Sequence, residues 1–246
     1  MPRESQFRDA RPGFQTTHWS QVLRAIEGDS AESQEALAEL CQAYWYPLYA
    51  FVRRRGYSAA DASDLTQSYF TLLVEKEYLR QFRPTAAKFR SFLLASFKNF
   101  IANEWDRERA LKRGGGATIL SLDAAQAENR YFKEPSDPVT PEEIFERRWA
   151  LTVLERVMGR LRREFTGRGK QEHFEQIEHH LTGQKPKTTY SQIAARLGVS
   201  EEAIKAEVTR ARRRFGQLLR LEIGETVASE EEVDQEIRYL LQFVGQ

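Results

Sequence analysis

A single cysteine, Cys41, is too few for an intramolecular disulfide, and its place in the helical-looking AELCQAYW marks it as a buried thiol. No apolar run approaches the length of a membrane span and the N-terminus carries no signal-peptide pattern, so the chain is expected to be soluble and cytoplasmic. Histidine is scarce. His18, His173, His179 and His180 are the whole set, and the adjacent pair points about 100° apart on a helix, so no metal site is expected. Gly114, Gly115 and Gly116 lack the Lys-Ser or Lys-Thr pair that a phosphate-cradling loop needs. A nucleophile elbow, a kinase signature and a zinc-protease motif are missing too, so no catalytic residue and no cofactor is expected.

Net charge is also small, +1, which argues against a general nucleic-acid binder. The charges are nevertheless segregated. Arg80 to Arg113 holds nine Lys/Arg against three Asp/Glu, Gly114 to Glu146 two against seven, and Leu221 to Gln246 one against seven. Blocks of alternating sign suit segments that face different partners.

What periodicity there is has the helical repeat, and the expected fold class is all-α: two helical domains joined by a flexible linker, the C-terminal one containing a helix-turn-helix. Residues 1–15, with Pro2, Pro12 and Gly13, read as a disordered lead-in, and 16–113 as the first domain. There Thr17 can cap a helix carrying Trp19, Val22, Leu23 and Ile26. A longer helix opens at Ala36, Leu37 and Leu40, runs through Tyr44, Trp45, Tyr46, Tyr49 and Phe51, and stops at Gly56. Its aromatics suit packing, with a stacking platform for bases as the alternative. Ser58 and Asp61 have capping-box spacing and start a helix with Leu65, Tyr69, Leu72 and Leu73 on one side and Asp61, Asp64 and Gln67 on the other. By themselves the two aspartates are carboxylates at a helix N-terminus. After a loop over Tyr78 to Lys88, Phe89, Leu93, Phe97 and Phe100 face one way, while Lys98, Ala102, Trp105, Arg109 and Lys112 line the other. Cations interrupted by a tryptophan suit single-stranded DNA; the plainer alternative is a packed Trp105 among solvated charges.

Residues 114–140 are acidic, hold Pro135 and Pro138, and read as the linker. The second domain, 141–223, starts with a cap at Thr140, Pro141 and two glutamates, and carries Phe145, Trp149, Val153, Leu161 and Phe165 at helical spacing. Its most informative stretch is YSQIAARLGVSEEAIKAEVTRARRR, Tyr190 to Arg214. Ile193, Ala194 and Leu197 form a short apolar face, Gly198 a turn, Val199 a plug for the corner, and Ser200 a cap. Ile204, Val208, Ala211, Phe215 and Leu218 then form one stripe of a longer helix, whose far face carries Glu202, Ala206, Thr209 and Arg213 flanked by Lys205 and Arg210. A helix-turn-helix offers its second helix to the major groove in this way; the alternative is a helical hairpin with a solvated basic face. Residues 224–246 read as an acidic amphipathic extension, with Val233, Ile237, Leu240, Leu241 and Val244 on one side, expected to cover basic surface near Arg212–Arg214.

Three segments in this order, DASDLTQSYF at Asp61–Phe70, FRSFLLASFKNFIANEWDRER at Phe89–Arg109 and YSQIAARLGVSEEAIK at Tyr190–Lys205, resemble a bacterial RNA polymerase sigma factor of the extracytoplasmic-function type. The resemblance implies that Asp61, Asp64 and Gln67 dock on the β′ clamp helices of core RNA polymerase. It implies that Lys98, Asn99, Asn103, Trp105 and Arg109, with the loop Phe82–Lys88, recognise and open the minus-ten element of promoter DNA. It also implies a linker running toward the polymerase active-site channel, a second domain at the β flap, and Lys205, Thr209, Arg210 and Arg213 reading the minus-thirty-five element. An anti-sigma factor is a further partner class of such proteins. Three features depart from the family: Ala206-Glu207 in place of a frequent Ser-Arg pair, Glu202-Ala203 in place of Gly-Thr, and the added segments at Trp19 and after Gly224. A two-domain helix-turn-helix regulator acting without polymerase is the alternative, and a helical adaptor without nucleic acid a third.

Overall fold

The computed structural model describes residues 31–74, 88–110, 124–131, 139–181, 188–227 and 229–244; they are helices and short turns, with no strand among the described residues. The helix expected around Trp19, the loop Tyr78–Ala87, Gly114–Gly116 and Lys112 lie outside them. The all-α expectation holds.

Helix α1, Ala31–Arg54, contains Pro47 in its interior. Proline there removes a backbone donor and crowds the preceding turn, a cost of about 3 kcal/mol that normally ends a helix. The helix continues because Tyr44, Trp45, Leu48, Tyr49 and Phe51 are buried on both sides of it, Trp45 stacked on Tyr49 at 5.2 Å. The aromatics are therefore core, and no platform for bases exists here. Gly56, at φ 93°, turns the chain into α2, Ala59–Val74, whose start is secured by the Asp61 N–H donating to Ser58 Oγ at 3.1 Å. Helix α3, Phe89–Ala110, buries Phe89, Leu93, Phe97 and Phe100 as its spacing predicts, with Phe97 against Tyr69 at 4.8 Å.

The stretch expected to be a flexible linker contains a helix, α4, Ala124–Tyr131, which docks on α1 and α2. Glu128 anchors it: Arg53 Nη2 lies 2.6 Å from one carboxylate oxygen and the Tyr49 hydroxyl donates to the other. Eight residues are too few to form a helix in isolation, so this element exists through its tertiary partner.

Helix α5, Pro141–Gly167, starts with the expected cap, here a full capping box between Thr140 and Glu143. Its packing on α1 is the most extensive between helices among the described residues, and Trp149 Nε1 donates to the Tyr44 hydroxyl at 3.2 Å. One hydrophobic core thus runs through the segments on either side of residues 114–140. Short α6, Gln171–Ile177, leads through a 3₁₀ turn, Glu178–His180, toward α7, Tyr190–Leu197, and α8, Glu201–Gly224. Gly198 takes the left-handed conformation, φ 65°, and the Val199 N–H closes the turn on the Ala194 carbonyl at 3.1 Å. Val199 itself is 38% exposed, so backbone geometry and not an apolar plug makes the corner.

The last helix, α9, Glu230–Val244, folds back on α5 and α8. Val233 and Leu240 are buried as expected, but Leu241 and Val244 are exposed. Tyr239 and Phe243 pack in their place.

Candidate functional site

Three groups of side chains were expected to touch partners, and each sits differently. On α2, Asp61 and Asp64 are exposed one turn apart, whereas Gln67 is half-buried and its Nε2 finds no hydrogen-bond partner among the described residues. Tyr69, Phe70 and Leu73 bury the opposite face, which orients the aspartates outward. Gln67 therefore contributes less exposed surface than its spacing predicts.

On α3, Asn99, Ala102 and Asn103 are exposed, while Lys98 is partly covered by an ion pair to Glu142 of α5 at 2.5 Å. The Lys98 hydrogen bond holds the Glu142 carboxyl below the usual carboxylate range. Trp105 and Arg109 belong to α3 by backbone, and their side chains lie outside the described residues. Arg55, Tyr57, Asp61, Lys98 and Ala102 line one shallow groove. The groove joins the α2 and α3 groups, which residues 75–88 separate in the sequence.

On α8, Lys205, Thr209, Arg210 and Arg213 are all exposed, and Ile204, Val208, Ala211 and Leu218 are buried. The two faces lie as the spacing predicts. Lys205 Nζ is 2.7 Å from Glu201 and the Thr209 hydroxyl donates to the Lys205 carbonyl at 2.8 Å, so both hold positions on the helix surface without being buried. The run Arg212–Arg214 is divided by packing. Arg212 donates twice to the His180 carbonyl, at 2.7 and 3.1 Å, and Arg214 lies 2.6 Å from Glu164. Of the three, Arg213 alone has no such contact among the described residues, and it is the one on the Thr209 face.

Two polar residues were missed from sequence. Glu207 is buried, 2.8 Å from Lys170 Nζ and 2.7 Å from His173 Nδ1, and so ties α8 to α6. Burial pushes its carboxyl up, but the hydrogen bonds from His173 and Lys170 outweigh this and the net shift is downward. Its position three residues after Ile204 and next to Val208 on the apolar stripe was the available signal. The other is Arg90, counted above as part of a basic block. It is buried between the rings of Trp149 and Tyr239, 4.9 and 4.1 Å from their centroids, with Nη1 2.5 Å from Glu146 and Nε on Glu236.

The acidic extension does not reach Arg212–Arg214. Its Glu236 pairs instead with Arg90 of α3 and with Lys88 just before it, and its Asp234 and Glu230 with Arg220 of α8. The reason is steric: α9 turns back along the C-terminal end of α8, and Arg212 and Arg214 already have partners. Among the described residues no cluster of potential metal ligands occurs and no helix is long and apolar enough to cross a membrane. Comparisons with protein-family models, with curated proteins and with solved structures yield no match.

Proposed function

We propose that this chain is a promoter-specificity subunit of bacterial RNA polymerase, a sigma factor of the extracytoplasmic-function type. It binds the core enzyme through Asp61 and Asp64, contacts the minus-ten element from α3 and the minus-thirty-five element from α8, and supports strand opening without catalysing a reaction of its own. The observation that carries this reading is the α7–α8 pair. A left-handed Gly198 and a Ser200 cap set α8 against α7, and the residues left outward are Lys205, Thr209, Arg210 and Arg213. Small and polar groups near the start of such a helix suit base edges, and arginines suit phosphates. The groove lined by both Asp61 and Lys98 supports the reading, since a carboxylate suits a basic clamp and a neighbouring cation suits a nucleic-acid strand. Opening DNA in this way needs no nucleotide hydrolysis, since stacking and pocketing of exposed bases offset lost pairing.

The testing experiment is run-off transcription with purified bacterial core polymerase on a promoter library, with and without the protein. New start sites that share two upstream boxes are the expected result. A silent core that does not bind the protein refutes the reading. The second reading, a helix-turn-helix regulator acting without polymerase, is favoured by the continuous core that joins both halves in one body. Such a regulator binds an inverted repeat alone, which the same preparation tests by DNA binding without core.

A further inference from the structure

Most of the cations around the outward face of α8 are matched to an acid. Glu201 lies 2.7 Å from Lys205, Glu164 of α5 lies 2.6 Å from Arg214, and Glu207 lies 2.8 Å from Lys170, the residue before α6. Arg212 donates to the His180 carbonyl. Among the described residues, Arg210 and Arg213 are the cations on this face with no ion pair.

The three pairs differ in how firmly the acid is fixed. Glu201 and Lys205 are one turn apart on the same helix and both open to solvent, so this lysine is free to leave for another anion. Glu164 is 25% exposed and Glu207 only 8%. Glu207 also accepts from His173 Nδ1 at 2.7 Å, and its two hydrogen bonds outweigh burial and keep the carboxyl ionised. Lys170, 47% exposed, is placed by contacts that do not involve Glu207. Gly169 before it takes φ 67°, its N–H donates to the Phe165 carbonyl at 2.9 Å, and its carbonyl accepts from the Phe174 N–H at 3.1 Å. The other charges at this edge, Arg168 and Glu164 at the end of α5, lie 3.8 Å from each other.

On α8, Glu207 follows the exposed Ala206 and stands one turn before the exposed Arg210, so Lys170 sits at the margin of the face that meets DNA in the proposed function. A lysine at such a margin is a ready phosphate contact, and each one adds affinity that does not depend on sequence. Here a buried carboxylate cancels the charge at its source. We propose that Glu207 is a charge mask: it withholds Lys170 from the phosphates of duplex DNA, which keeps sequence-independent affinity low and leaves binding to Lys205, Thr209, Arg210 and Arg213. The mask rests on α8 facing DNA and is independent of polymerase.

The test measures binding of the full chain to a random-sequence duplex of about 30 base pairs across a salt series, at about pH 8 to keep imidazole charge out of the comparison. Glu207→Gln keeps the size of the side chain and removes its charge. It is expected to bind about fivefold tighter near 0.1 M salt and to steepen the salt slope by about 1, the share of one phosphate contact, with an unchanged circular-dichroism spectrum. Adding Lys170→Gln to it returns both quantities to the parent values. Unchanged or weaker binding by the folded Glu207→Gln protein overturns the mask, and so does a gain that persists in the double variant. A second measurement needs no variant: acetylation of lysines in the parent, with and without saturating duplex, read by mass spectrometry. Lys170 is expected to react equally in both, and its protection by duplex overturns the mask. Run-off transcription decides the sigma-factor reading separately. A core that stays silent with parent and variants refutes that reading, while the salt slopes and the acetylation pattern still decide the mask.

Discussion

Glu225 stands where α1, α5 and α8 meet, beside a small cavity lined also by Glu39, Tyr44, Trp149, Arg156 and Glu222. Burial pushes its carboxyl up from the ordinary 4.5 to about 7, Glu222 adding to the effect and Arg160 and Arg156 opposing it. An acid whose folded pKa is raised keeps its proton in the folded protein over a range where the unfolded chain has lost it. Stability therefore falls as pH rises from about 4.5 to about 7, and the loss is complete above that window. Glu225→Gln is expected to remove this component and to make the protein more stable than the parent at pH 8, by about 2–3 kcal/mol, in denaturant titrations repeated across pH. Arg213 and Arg212 make a second contrast at this scale. On the proposed function, Arg213→Ala should weaken promoter binding and lower the salt slope by about 1, as expected if its exposed guanidinium contacts a phosphate. Arg212→Ala should instead lower the melting temperature, since its hydrogen bonds go to the His180 carbonyl.

Among elements, α2 presents Asp61 and Asp64 to solvent and takes its stability from Tyr69, Phe70 and Leu73 on the far side. On the proposed function, Asp61→Arg with Asp64→Arg abolishes co-purification with core polymerase, and because both side chains are exposed the circular-dichroism spectrum stays unchanged. The α7–α8 turn depends on backbone conformation more than on packing. A Cβ at Gly198 meets nothing within 4 Å, so Gly198→Ala adds no clash and costs only the left-handed conformation, φ 65°, about 1 kcal/mol by thermal melt. Most of this scale could be read from the sequence. Caps at Ser58, Thr140 and Ser200, the stop at Gly56 and the stripes of α3, α5 and α8 are set by residues a few positions apart. The exception is α4, whose eight residues are helical through Glu128 and Arg53; α1 was legible despite Pro47, because its aromatics recur at helical spacing on both sides of the proline.

At the scale of the molecule, the shared core of α1 and α5 makes the free protein one cooperative unit. Trp149→Ala should cost about 3–5 kcal/mol and shift a single unfolding transition detected equally by probes in α3 and α8. Two separate transitions in the parent would mean that the halves fold independently. The domain arrangement is the level least legible in the sequence, because an acidic, proline-containing stretch reads as a spacer whether or not the segments it joins pack together.

The residues by themselves determined the all-α class, the helix boundaries near good caps, and the outward Lys205, Thr209, Arg210 and Arg213, because periodicity and capping act within a turn or two of helix. Tertiary structure decided which charges are exposed and which are fastened. Arg90 finds Glu146 at a separation of 56 positions and Glu236 at 146, and no local pattern encodes a pairing over such distances. A buried charge must be matched wherever the chain brings a partner, and only the packing of α3, α5 and α9 around one arginine supplies it.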